Sequence, residues 1–341
     1  MPANNRPAAV IFGCAGTSLT DDEIRFYRRV DPLGFILFAR NVDTPEQVRA
    51  LVQAMRDAVG RRAQVLIDQE GGRVQRLKPP HWPRRPAMAT YGKLAARDPE
   101  LAARAAGLHA RLIAADLLAL GIDVDCAPVL DVPIPGITEA IGDRAISADP
   151  AIVATLGRAV RDGLLAGGVM PVIKHLPGHG RALVDSHATV PIVRASREDL
   201  SAVDLVPFKA LADSPWGMTC HCIYAAVDPD LPATRSPRVI ADLIRGEIGF
   251  DGLLVSDDLS MGALSGAYDD RAAASLDAGC DVALHCNGKM EEMTAVARGV
   301  RPLSDRALER IARAEAWRRP RPDPVPSGGD ETLAAWLGAA A

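Results

Sequence analysis

The 341-residue chain has no excess of charge of either sign. Its 39 Lys and Arg stand against 43 Asp and Glu, for a formal charge of −4. That balance makes no electrostatic case for nucleic acid or an anionic membrane surface as a partner. There is also no uninterrupted apolar run near the ~18 residues a membrane-spanning helix needs. A secretory leader is not evident either. Met1-Pro2-Ala3-Asn4-Asn5-Arg6-Pro7 passes straight into Ala8-Ala9-Val10-Ile11, without the basic stretch and longer apolar core such a leader requires. Cysteine is sparse: six residues, at 14, 126, 220, 222, 280 and 286, are spread too thinly for a disulfide framework. The expectation is a cytoplasmic protein with reduced thiols and with neither nucleic acid nor membrane as partner. What is present is globular in character, 48% hydrophobic and 24% charged.

Short runs rich in Val, Ile and Leu alternate with longer Ala- and Arg-rich stretches of helical character. The pattern predicts strands at 9–14, 34–39, 64–68, 122–126, 171–175, 217–220, 252–256 and 281–285. It predicts helices near 21–30, 44–59, 99–120, 150–166, 197–212, 237–246, 269–278 and 289–318. Asp43-Thr44-Pro45-Glu46, Asp98-Pro99-Glu100 and Asp149-Pro150 each place a capping side chain before a Pro suited to a first turn. Eight repeats of strand and helix fit a single α/β domain of the (β/α)8 TIM-barrel type over residues 1–318. A doubly wound open sheet is the alternative, because alternation alone does not show closure. Residues 319–341 form a Pro-rich tail whose alternate prolines predict a mobile or loosely packed segment, with Glu331–Leu337 read as a short, weakly amphipathic helical turn and docking against a partner subunit as the alternative.

In such a barrel, catalytic groups sit at the carboxyl ends of strands. Polar residues fall there repeatedly: Asp68-Gln69-Glu70, Asp125 with Asp131, Lys174-His175, His221, Asp257-Asp258 and His285. Together they predict a rim cleft for a polar substrate. The densest stretch, residues 174–187, holds three of the chain's seven histidines and is broken by Pro177, Gly178 and Gly180 into a loop. Within it Asp185 and His187 are two apart, so in an extended segment they project to one side. The carboxylate would then accept a bond from one imidazole nitrogen and make the other a better proton carrier near neutral pH. An Asx-type loop cap with a solvated histidine is the alternative. At Leu253-Leu254-Val255-Ser256-Asp257-Asp258, an apolar strand emerges into two carboxylates. Asp257 is read as facing inward, able to attack a sugar carbon, and Asp258 as capping the following helix. Asp68-Gln69-Glu70-Gly71-Gly72-Arg73 is neither a dinucleotide fingerprint nor a P-loop and is read as a site for sugar hydroxyls.

These segments, with Lys174-His175-x-Pro177-Gly178-His179-Gly180, Ser256-Asp257-Asp258-Leu259-Ser260-Met261, Gly34-Phe35-Ile36-Leu37-Phe38-Ala39-Arg40-Asn41 and Ile141-Gly142-Asp143-Arg144, resemble the bacterial β-N-acetylhexosaminidases of glycoside hydrolase family 3. The resemblance runs in order from about residue 8 to about 318. It implies a single (β/α)8 barrel that needs no cofactor or metal and removes terminal N-acetylglucosamine (GlcNAc) with retention. The family's usual substrates are GlcNAc-anhydro-muramyl peptides of cell-wall recycling. Carried over by position, it implies Asp257 as nucleophile, His187 as general acid/base and Asp185 as its orienting partner. Asp68, Arg76, Arg144, Lys174 and His175 would hold the sugar. The chain departs from the pattern at Ala145-Ile146, in the apolar stretch Arg181-Ala182-Leu183-Val184, and in its tail.

Two other readings compete. A metal-dependent hydrolase would draw on His175, His179, Asp185, His187 and Asp257, but Lys174 would set a positive charge beside the ion. Cys220-His221-Cys222 with Cys286 also invites a zinc reading, though Cys220 and Cys222 are expected as buried thiols with His221 turned away. A non-catalytic sugar-binding protein would need a broken nucleophile or acid, and both are present.

Overall fold

The computed structural model describes residues 6–135, 141–186, 189–318 and 322–338. Eight parallel strands close on themselves in chain order: β1 (Ala8–Phe12), β2 (Pro32–Leu37), β3 (Gln64–Ile67), β4 (Val124–Asp125), β5 (Met170–Leu176), β6 (Trp216–Thr219), β7 (Leu253–Asp258) and β8 (Val282–His285). The last strand pairs with the first, with Ile11 against Leu284 and Phe12 against His285. The chain is therefore a (β/α)8 barrel rather than an open doubly wound sheet. The strands read as near-continuous apolar runs because barrel strands are covered on both faces. Every residue of β2 and β5 is buried.

Helices α1 (Asp21–Val30), α2 (Pro45–Val59), α3 (Met88–Ala95), α4 (Pro99–Leu118), α5 (Pro150–Ala166), α6 (residues 197–210), α7 (Val239–Glu247), α8 (Tyr268–Ala278), α9 (Met290–Gly299) and α10 (Asp305–Trp317) surround the sheet. The three caps foreseen in the sequence form. The side chains of Thr44, Asp98 and Asp149 accept from the backbone of Gln47, Leu101 and Ala151, each ahead of a Pro in the first turn. The region expected as one helix over 289–318 is instead α9 and α10, split around Pro302, which cannot donate to a helical ladder. Helix α3 is an addition to the expected elements. Among the described residues no helix is long and apolar enough to cross a membrane.

The described part of the tail corrects the expectation of a loose segment. Pro322 packs against Gly168, and the Asp323 amide donates to the Ala166 carbonyl at 2.9 Å. The helical turn expected at Glu331–Leu337 forms within α11 (Gly329–Gly338), whose Leu333 is 3% exposed and belongs to the same hydrophobic core as the barrel. The Arg104 guanidinium lies 4.7 Å from the centre of the Trp336 ring. Prolines prevent a helix over 322–326 but do not prevent the chain from lying along α4 and α5.

Candidate active site

The carboxyl ends of the strands open on a cleft of about 350 Å³. Alternation along the strands decides which side chains reach it. From β2 and its extension come Ile36 and Phe38; from β8 and its extension, Leu284 and Cys286. His285, between those last two, must face the other way. It packs against the rings of Phe12 and Tyr268, not in the cleft.

On one side of the cleft is a cluster of alternating charge. Lys174, 1% exposed, places Nζ 2.8 Å from Asp68 Oδ1 and 2.7 Å from Glu70 Oε1. Arg76 Nη2 lies 3.0 Å from Asp68 Oδ2. Arg144, from the turn Gly142–Arg144, holds Glu70 with two bonds, Nε to Oε2 at 2.9 Å and Nη2 to Oε1 at 2.8 Å. Burial alone would raise both carboxyls, but Lys174 and Arg76 hold Asp68 well below the usual range, and Arg144 with Lys174 brings Glu70 to about 2. Burial works against the Lys174 ammonium too, yet Asp68 and Glu70 outweigh it and raise its pKa. Asp68, Glu70 and Lys174 are therefore charged at neutral pH, and every member of the cluster is already partnered before any ligand arrives.

His175 follows on the same strand and is joined to Lys174 by a cis peptide. Its Nδ1 donates to Asp131 Oδ2 at 2.7 Å, leaving Nε2 3.5 Å from Arg144 Nη2. Asp131 is fully buried, and its other oxygen accepts the backbone N–H groups of His175 at 3.2 Å and His179 at 2.7 Å. Burial would raise this carboxyl, but His175 and the His179 amide hold it at about 2. Asp131 thus anchors the start of the histidine loop rather than lining the cleft. His179 bonds Ser186 Oγ through Nε2 at 3.1 Å, and burial lowers its pKa to about 4, so the ring is neutral.

Asp257, at the end of β7, lines the cleft. Its amide donates to Thr219 Oγ1 at 3.3 Å, and its Oδ1 accepts the Asp258 amide at 2.8 Å. Asp258 is a cap, as expected, but of a turn rather than a helix. Its carboxylate accepts from Ser260 N at 2.9 Å, Ser260 Oγ at 2.6 Å and Cys286 N at 3.1 Å. Asp185 and Ser186 also line the cleft, from the loop after β5. His187, and with it the pairing expected with Asp185, lies outside the described residues.

Asp68, Arg76, Arg144, Lys174, His175, Asp185 and Asp257 therefore share one cleft. Three other polar strand ends do not join them. Asp125 is buried behind it, accepting the Gln69 amide at 3.0 Å, and burial pushes its carboxyl well above the usual range. His221 is buried between Thr234 Oγ1 at 2.8 Å and the Asp258 carbonyl at 2.9 Å, and so braces β7 from behind. His285 faces outward for the reason given above. The sequence reading also left Glu70 without a role of its own. Its i, i+2 relation to Asp68 was the available signal, since both carboxylates meet one lysine. Arg73, which lines the cleft while bonded to Asp143 at 3.1 Å and to the Ile141 carbonyl at 3.2 Å, carried no such signal. Among the described residues, no group of three or more His, Cys, Asp and Glu side chains gathers as a metal site.

Residues 31–314 match the family described as glycosyl hydrolase family 3 N terminal domain. A curated β-hexosaminidase of Alkalilimnicola ehrlichii is 39% identical over 342 aligned residues, covering 94% of this chain and 97% of that protein. The crystal structure of native NagZ from Neisseria gonorrhoeae superimposes with a TM-score of 0.86 at 31% identity, covering 98% of each chain. The same protein in complex with N-trifluoroacetyl-D-glucosamine gives 0.86 at 31% identity, over 98% of this chain and 99% of that one. With closed barrel, rim cleft and relatives in agreement, the chain is a glycoside hydrolase and belongs to glycosyl hydrolase family 3, among its bacterial β-N-acetylhexosaminidases.

Proposed function

We propose that this enzyme removes terminal β-linked N-acetylglucosamine with retention, through a covalent glycosyl-Asp257 intermediate. An Asp257 carboxylate oxygen attacks the anomeric carbon. As the glycosidic C–O bond breaks, His187 gives its proton to the departing oxygen. His187 then takes a proton from water, whose oxygen attacks the same carbon and releases Asp257. Asp185 orients the imidazole, while Asp68, Arg76, Arg144, Lys174 and His175 hold hydroxyls and the acetamido group.

The observation that carries this reading is the convergence of Asp257 and Asp185, from different strand ends, on a cleft whose wall is the Asp68–Lys174–Glu70–Arg144 cluster. The solved relative bound to a GlcNAc analogue supports the sugar. The natural substrate proposed is a GlcNAc-1,6-anhydro-muramyl peptide, processed in the cytoplasm during peptidoglycan recycling. All six cysteines are buried and unpaired, in keeping with a reducing compartment.

Hydrolysis of aryl β-GlcNAc substrates tests the mechanism. Asp257→Ala is expected to abolish turnover. His187→Ala is expected to cost about 100-fold or more with a poor leaving group and far less with an activated one, because only the former needs protonation. Equal losses with both would remove His187 as the acid, and an inverted first-formed product would remove the covalent intermediate.

A further inference from the structure

Two of the residues that would grip the sugar, Asp68 and Arg76, flank a short hairpin, Gln69–Gly71 against Val74–Gln75, and what backs that hairpin is the carboxyl-terminal tail, acting through one buried cation. The turn of the hairpin lies directly on residues 85–87. Gly71 and Gly72 both have positive φ, and a Cβ on either would strike Pro86 O at 2.4 Å or Ala87 Cβ at 2.7 Å. Arg85 is the tie. Its carbonyl accepts the Gly72 amide at 2.9 Å, and its amide donates to Gln75 Oε1 at 3.0 Å. Its side chain turns away from the cleft and is 3% exposed. There the guanidinium bonds Asp116 Oδ2 of α4 at 2.9 Å and Asp330, in the first turn of α11.

A buried guanidinium must find carboxylates or it is costly to keep. Of the two that serve Arg85, one belongs to the barrel and one to the tail. The tail partner is well placed, since a carboxylate in a helix's first turn is also favoured by the helix dipole. Helix α11 is itself held by Leu333 in the core and by Arg104 over Trp336. The line of contacts is therefore continuous: core, α11, Asp330, Arg85, the Gly71–Gly72 turn, and then Glu70 and Arg76 in the substrate cluster.

We infer that Asp330 is a positioning residue for sugar binding, and that the carboxyl-terminal tail fixes the Asp68–Arg76 hairpin through Arg85. The inference rests on the proposed GlcNAc reading of the cleft. Asp330 touches neither the Asp257 carboxylate nor the reacting carbon, so loosening the hairpin is expected to act on sugar binding, raising KM with kcat unchanged.

Full-length Asp330→Asn, Asp330→Glu, Arg85→Lys and the Arg85→Lys/Asp330→Asn double variant are compared with wild type on an aryl β-GlcNAc. Amide hydrogen exchange over residues 69–77 is measured without sugar. A half-exposed ion pair is worth up to about 1 kcal/mol, so Asp330→Asn is expected to raise KM about two- to fivefold at unchanged kcat. It should also speed exchange over 69–77, and Asp330→Glu should restore both. In the Arg85→Lys background, Asp330→Asn should add little, because its route is already altered. Unchanged KM and exchange in Asp330→Asn, or a full additional effect in the double variant, overturns the inference. Wild type that turns over no β-GlcNAc overturns the functional reading instead, and the exchange measurement still judges the tie.

Discussion

Lys174 shows how the cleft is held at the scale of one side chain. Its ammonium is enclosed between Asp68 at 2.8 Å and Glu70 at 2.7 Å. Removing one partner of a buried ionic group costs more than the pair contributes, because the remaining charges stay buried without compensation. Lys174→Met leaves two carboxylates facing each other across an apolar side chain. It is expected to destabilise the fold by about 3 kcal/mol or more, read from the urea midpoint at unchanged slope, and to abolish saturable binding of GlcNAc. A variant as stable as wild type would show that Arg76 and Arg144 suffice to neutralise the cluster. Asp257 and Asp258 make the complementary point. They are adjacent in sequence and both border the cleft, yet the Asp258 carboxylate is occupied by Ser260 and Cys286 while Asp257 Oδ1 meets the Asp258 amide. The capping role of Asp258 was legible from the strand end, but strand alternation does not separate the two, since both reach the cleft rim.

At the scale of elements, α3 is where local sequence says least and the site depends on the element most. Met88–Ala95 begins without a side-chain cap, follows a Pro-rich stretch and is only eight residues long, so no local signal announces it. Yet α3 is the platform for the segment that follows Arg144. A Cβ on Gly92 would sit 1.7 Å from the Ile146 carbonyl oxygen, so helix and segment touch backbone to backbone. Gly92→Ala is expected to push that segment outward and to carry Arg144 off Glu70. The expected result is a loss of about 1–3 kcal/mol in stability together with a raised KM, against an unchanged KM if the segment gives way locally. The barrel strands were legible for the opposite reason. Each is an apolar run bounded by turn residues, and the three Asp/Thr-Pro caps mark helix starts by local chemistry alone. The anchoring role of Asp131 and the docking of the tail on the barrel were not legible, although the helical pattern at Glu331–Leu337 was. Their partners, His175 and Arg85, are distant in sequence, and nothing local encodes such a pairing.

For the molecule as a whole, pH separates two populations of carboxylates. Glu70 and Asp131 are held at about 2 in the fold, below their ordinary values. Their contribution to stability is present above the ordinary carboxylate range and is lost as pH falls through about 2. Asp125 is raised in the fold, so its contribution is present below the ordinary range and lost as pH rises through its folded value. The gap in melting temperature between wild type and Glu70→Gln is therefore expected to be full above about pH 5 and to close toward pH 2. Against Asp125→Asn, wild type should be equal below about pH 4 and fall progressively behind toward neutrality. Parallel curves for all three proteins would show that these carboxyls titrate alike in folded and unfolded chains.

The mutual pairing of Lys174, Asp68, Glu70, Arg76 and Arg144 has a consequence for selectivity. Groups locked to one another cannot swing to meet a newcomer, so such a surface reads the angle of each hydroxyl rather than its mere presence. An epimer that turns one oxygen aside gives up a charge-assisted bond, with no side chain at liberty to follow it.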